Sequence, residues 1–219
     1  VSRAFAGRAA GFPDDVSCRP GCFGCCVGLF EITELDAALA ERGMAKLSAA
    51  ARRRIRARGR RIAAEISRIF PGDRKSLRLD PAREREWDLF FDRTARIACP
   101  FLVPLEGSGD AQDAADSARW PQGFVCAIYE QRPYTCRTFG LALSDGSRIV
   151  SPPCRLNFRR REGRAARVAA SALPVRDEAD LALAVQAERT SGLSAGSATV
   201  LPAVAAGRRI YSKRAGASR

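Results

Sequence analysis

The sequence predicts a mainly α fold with short irregular or β-hairpin segments, and three observations carry that prediction. Apolar residues recur at helical steps through residues 49–69. Helix start signals stand at Thr33, Ser48 and Asp80. Clear alternation is confined to residues 141–150, around Ser144-Asp145-Gly146, which is a hairpin signal.

In chain order, residues 1–17 are expected to be a flexible lead-in. They are followed by Cys18-Arg19-Pro20-Gly21-Cys22-Phe23-Gly24-Cys25-Cys26, four thiols within nine residues. Proline and glycine exclude regular helix or strand there, so the segment is a tight loop. Thr33 with Asp36 three positions on nearly forms a capping box, and a helix is expected over 34–42 with Gly43 as its stop. Ser48 caps a longer helix over 49–69. Leu47, Ala51, Ile55, Ile62, Ile66 and Ile69 form its apolar stripe, Gly59 lies on it, and Pro71-Gly72-Asp73 ends it. Asp80-Pro81 starts a third helix over 82–95. It leads to Cys99-Pro100-Phe101-Leu102-Val103, a strand or a buried turn.

Residues 106–122 form a polar loop insertion. Residues 124–130 are a compact apolar segment holding Cys126, broken by Arg132-Pro133 before Cys136. Pro152-Pro153-Cys154 brings the last thiol. A basic extension over 156–190 follows, with a helix from Arg159-Arg160-Arg161 to about residue 170 and another capped by Asp177. Residues 191–219 are expected to be a disordered or partner-ordered tail.

Composition narrows the chemistry. The 219 residues are 46% hydrophobic, enough for a real core, and no apolar run is long enough to span a bilayer. No apolar stretch follows Arg3 and Arg8, so a cytoplasmic setting is expected. There, eight cysteines point to metal or redox use rather than to a disulfide framework. Histidine is absent, which excludes His-bearing zinc sites, histidine general bases and facial-triad iron. Thiolate ligation favours zinc, an iron–sulfur cluster or Cu(I). The net charge is +13, and all but three of the 37 basic residues are arginine. A GC-rich genome accounts for arginine over lysine but not for the surplus. An anionic partner, nucleic acid or acidic protein, is the expectation for the 52–61 face bearing Arg52, Arg53, Arg54, Arg56, Arg58, Arg60 and Arg61. A solvated amphipathic helix is the plainer reading of the same residues.

The candidate ligands are Cys18, Cys22, Cys25, Cys26, Cys99, Cys126, Cys136 and Cys154. A zinc ribbon needs two CxxC knuckles, and Cys22 with Cys25 is the one pair offered. An irregular four-thiolate zinc site stays open. Spacing of x3 and then x2 can wrap three corners of a four-iron cubane, with a fourth thiolate arriving from far away. The same spacing resembles radical S-adenosylmethionine enzymes, but Gly24 stands where that family has an aromatic, and the rest of the chain reads as helix rather than a parallel barrel. Adjacent Cys25 and Cys26 are expected to diverge, one ligating while the other packs, serves a second site or acts in redox chemistry. Cys154 taken alone is also explained as a small buried hydrophobe. The fold class is therefore a small domain centred on a metal or cluster, mainly helical.

CRPGCFGCC, Cys99-Pro100-Phe101-Leu102 and Cys126-Ala127-Ile128-Tyr129-Glu130, followed by Arg132-Pro133 and Cys136-Arg137, together resemble the YkgJ-type cysteine-cluster family, whose zinc- or iron-chelating unit is the CxxCxxCC domain. The match runs over about 18–155. The resemblance implies a bacterial cytoplasmic protein that binds an iron–sulfur cluster or zinc through Cys18, Cys22, Cys25, Cys26, Cys99, Cys126 and Cys136. It also implies that Arg132 and Pro133 shape the turn presenting Cys136. Arg137 either offsets the charge of the sulfurs or is a surface arginine. A related domain in flagellin lysine methylases makes a protein-modifying enzyme, by methyl transfer or redox chemistry, one alternative; catalytic residues are unknown. The other alternative is a nucleic-acid-binding module with a structural zinc site. The 106–122 insertion, the arginine-rich helix and the basic C-terminal region with Cys154 depart from short members of the family.

Overall fold

The protein is described here from a computed structural model covering residues 2–18, 21–104, 123–175, 186, 191, 193 and 197–211. Among those residues the fold is helix-rich, with short strands in four small sheets. The 106–122 insertion and the Asp177-capped helix lie outside the described residues.

Helix α1 spans Ser2–Ala10, α2 Glu34–Ala45 and α3 Ala49–Ile66. Helix α4 is Trp87–Arg93, α5 Tyr134–Thr138, α6 Arg164–Ser171 and α7 Leu201–Ala206. The strands are β1 Glu31–Thr33, β2 Gly72–Asp73, β3 Arg78–Leu79, β4 Leu102–Pro104, β5 Phe124–Cys126, β6 Leu143–Ser144, β7 Ile149–Ser151, β8 Leu173–Pro174 and β9 Ser197–Val200.

Thr33 and Asp36 complete the capping box of α2. Thr33 Oγ1 accepts from the Asp36 N–H at 3.0 Å, and Asp36 Oδ2 accepts from the Thr33 N–H at 3.3 Å. Gly43 does not stop the helix. It lies inside α2, where an added Cβ would sit 2.9 Å from Ile128 Cβ and 3.0 Å from Gln131 Cβ, so glycine there serves close packing. Ser48 Oγ accepts from the Ala51 N–H and starts α3, whose buried face is Ile55, Gly59, Ile62, Ala63 and Ile66. The helix ends at Ile66 rather than 69, and Ile69 is exposed. The expected helix over 82–95 divides. Asp80 and Pro81 start a 3-10 stretch, Pro81–Glu86, and α4 follows it. The hairpin forms as β6–β7, and β6 also pairs in parallel with β8.

Two stretches carry structure where little was expected. In the lead-in, α1 and the turns after it place Phe5, Phe12 and Val16 on a small core of Leu141, Ala142, Phe158, Val168 and Leu173. The Phe12 and Phe158 rings meet edge to face at 5.9 Å, and Asp15 pairs with Arg167 at 2.8 Å. Residues 197–211 are not a loose tail. Strand β9 pairs antiparallel with β1, Glu31 opposite Val200, and α7 lies on α3 with Ala203, Val204 and Ala205 buried. Sequence composition hid this because Ala, Gly and Ser read as a linker, whereas small residues are what a closely approaching helix needs. The basic helix begins at Arg164, not Arg159, after Gly163 in left-handed backbone at φ +57°.

The main core runs from Phe23, Leu29 and Ile32 through α2, α3 and β4 to α7 and Ile210. Glu34, fully buried, receives Arg78 Nη1 at 2.6 Å, and Arg78 also donates to the Ile210 carbonyl. The cysteine loop passes between the two cores.

Candidate metal centre

Five separate stretches deliver the eight cysteines. The loop after Ser17 carries Cys18 and Cys22, and the 3-10 turn Gly24–Cys26 carries Cys25 and Cys26. Cys26 N–H bonds to Phe23 O at 2.8 Å, and Cys26 O accepts from Cys99 N–H at 2.7 Å. Cys126 ends β5 opposite Leu102, and Ala127 N–H reaches Phe101 O, so Cys26, Cys99 and Cys126 are tied through backbone. Cys136 rides on α5. Its N-terminus is held when Tyr134 N–H donates to Asp36 Oδ1 at 2.8 Å, and the same carboxylate closes the α2 capping box. Cys154 N–H bonds to Gly140 O at 3.3 Å.

Cys18, Cys22, Cys25, Cys136 and Cys154 line a cavity of about 420 Å³ between the two cores. Its remaining wall includes Phe5, Tyr129, Arg132, Arg137 and Phe139. Cys26 and Cys99 are buried behind it, 6% and 7% exposed. The expected divergence of Cys25 and Cys26 is partial. Cys25 faces the cavity and Cys26 the core, yet the Cys26 thiol donates to the Cys25 sulfur.

Burial and mutual repulsion govern how these groups ionise. The Cys26 hydrogen bond lowers Cys25 and correspondingly raises Cys26, which burial raises further. Burial, then the neighbouring Cys126, pushes Cys99 well above the ordinary thiol value. Burial lifts Cys126 to about 11 and also raises Cys136, where Cys25, Cys99 and Cys126 add repulsion. Cys18 is raised first by its hydrogen bond to Cys22 and then by burial, and burial raises Cys154. Several thiolates buried this close repel one another unless a cation or a cluster sits among them.

Arg58 offsets charge at Cys99 and Arg155 at Cys154, and the cation shared by several sulfurs is Arg132. Its guanidinium favours the charged forms of Cys25, Cys126 and Cys136, lies 3.6 Å above the Tyr129 ring, and donates through Nε to Tyr129 O at 2.9 Å. Arg137 braces it, donating to Arg132 O at 2.6 Å. Pro133 stands at the N-cap position of α5 with φ −52° and ψ 159°.

The donor set suits a thiophilic metal. The backbone N–H two residues on donates to the sulfur in three cases: Phe101 to Cys99, Ile128 to Cys126 and Leu156 to Cys154. N–H donors of this kind stabilise thiolate and tune metal–sulfur centres. Among the described residues no three Cys, Asp or Glu side chains close on one point at metal-ligand spacing. The thiols are gathered around shared space rather than locked into a finished polyhedron.

Sequence reasoning missed Asn157. It is buried, donates from Nδ2 to Cys18 Sγ at 3.3 Å, and had no motif to announce it. On α3, Arg53, Arg54, Arg56, Arg60 and Arg61 are exposed, whereas Arg52 bonds the Ala45 carbonyl and Arg58 the Leu102 carbonyl. Among the described residues no helix is long and apolar enough to cross a membrane. No family model, no curated protein and no solved structure matches the chain.

Proposed function

We propose that the protein binds a metal centre through its clustered cysteines, an iron–sulfur cluster in preference to zinc, as the resemblance to YkgJ-type cysteine-cluster proteins implies. The observation that carries this reading is that five thiols from three stretches of chain, Cys18, Cys22, Cys25, Cys136 and Cys154, line one cavity, with Cys26, Cys99 and Cys126 near enough to Cys25 or Cys136 to repel their thiolates. Clustered thiols suit metal ligation, because a bound cation takes them as thiolates and offsets the mutual repulsion that otherwise keeps them protonated. The cavity, about 420 Å³, has more room than a single tetrahedral ion needs, which favours a cluster over zinc. When bound, a cluster supplies one-electron chemistry, and the chain's own contribution is to orient the sulfurs and to offset their charge with Arg132. The open side of the cavity gives a substrate access to such a centre, as redox or methyl-transfer chemistry on a protein requires. A cytoplasmic location is part of this proposal, since free thiols persist there.

Replacing both Cys99 and Cys126 with serine tests the reading. The variant is expected to keep its secondary structure and to lose at least half of the metal that the wild type retains through gel filtration. Unchanged metal content in the double variant would place the centre elsewhere.

A further inference from the structure

Asn157 is 1% exposed and links the ends of three segments that carry or contact cysteines. Its Oδ1 accepts from the Ser17 N–H at 2.8 Å, and its Nδ2 donates to the Gly140 carbonyl at 2.7 Å and to Cys18 Sγ at 3.3 Å. Its backbone N–H bonds to the Cys154 carbonyl at 2.9 Å. The amide cannot be turned over. Ser17 offers a donor and requires the oxygen, while Gly140 offers an acceptor and requires the nitrogen. With one Nδ2 proton committed to the carbonyl, the other is left for the sulfur. Cys18 Sγ also lies against bare backbone, for a Cβ added at Gly140 would stand 2.4 Å from it.

We infer that Asn157 is a positioning residue for the metal centre: its side-chain amide fixes Cys18 Sγ against Gly140 and supplies an N–H···S hydrogen bond to that sulfur as a ligand. This rests on the metal-centre reading. An amide that only filled space would need no donor toward sulfur, and its two stronger bonds already satisfy a buried side chain. A donor on a ligating sulfur withdraws electron density from the centre and favours its reduced, more negative form.

The test compares wild type, N157L and N157D, purified anaerobically and matched for iron, sulfide and circular dichroism. Leucine removes the donor. Aspartate keeps the acceptor for Ser17 and places negative charge near the sulfur. The midpoint potential is expected to fall from wild type to N157L and further to N157D, an order that mere loosening of the fold does not produce. If N157L does not load, N157D against wild type carries the comparison. Should the wild type hold zinc, the readout is zinc transfer to a chromogenic chelator, several-fold faster in both variants. Equal potentials, or equal release rates, with the metal retained overturn the role of Asn157 and leave the metal-centre reading standing. A wild type without metal overturns both.

Discussion

Burial gives the thiols a signature that does not depend on which metal they hold. Folding lifts Cys126 from 9.0 to about 11, so the folded chain keeps a proton that the unfolded chain surrenders over that interval. Stability from such a group is fully present below pH 9.0 and is lost as pH rises toward about 11. Metal-stripped, reduced protein should therefore show a falling melting temperature across that window, and C126A should flatten the fall. A flat profile in the wild type would contradict the burial. The converse holds on loading: the bound protons must leave, so metal uptake at neutral pH releases acid and strengthens as pH rises. At this scale the cysteines were legible because a crowded run with glycine and proline identifies itself locally. Asn157 and the electrostatic part of Arg132 were not, since each acquires its role by long-range closure; Asn157 meets Ser17 from 140 positions away.

Helices α2 and α3 were readable at their N-termini because capping is local: Thr33, Asp36 and Ser48 satisfy the first free N–H groups wherever the helix later packs. Their glycines were not readable. Gly43 served as a stop signal in the sequence, yet Ile128 and Gln131 press on it within the helix. Gly59 sits under α7, where an added Cβ would be 2.6 Å from Ala205 Cβ and 2.7 Å from the Ala206 nitrogen. G59A gains about 1 kcal/mol of helix propensity but must displace backbone, an overpacking cost of about 1–3 kcal/mol. The expected outcome is a net loss of up to about 2 kcal/mol in urea unfolding. A stabilised G59A would show that α7 does not bear on α3.

Across the whole molecule, both ends of the described chain turn back onto the cores, which a reading by composition assigned to looseness. Truncation after residue 196 removes β9 and α7 and uncovers Ile32, Ile55 and Ile62. Such a protein should lose cooperative unfolding, while cooperative unfolding of the truncated chain would return this segment to the status of a tail. The helices were legible from periodicity and caps, but the mixed α/β character, with short strands in four small sheets, was only partly so. The seam between two cores was not, because it depends on α1 meeting residues 141–173 and on β9 meeting β1, contacts for which a single sequence carries no local signal. The thiols lie along that seam. Their chemistry is tested most directly by iron, zinc and acid-labile sulfide per chain after anaerobic purification, read with an absorption spectrum. The account predicts brown protein with iron and sulfide in comparable amounts. Colourless protein with stoichiometric zinc would contradict the cluster, and protein with neither metal would contradict the metal centre itself.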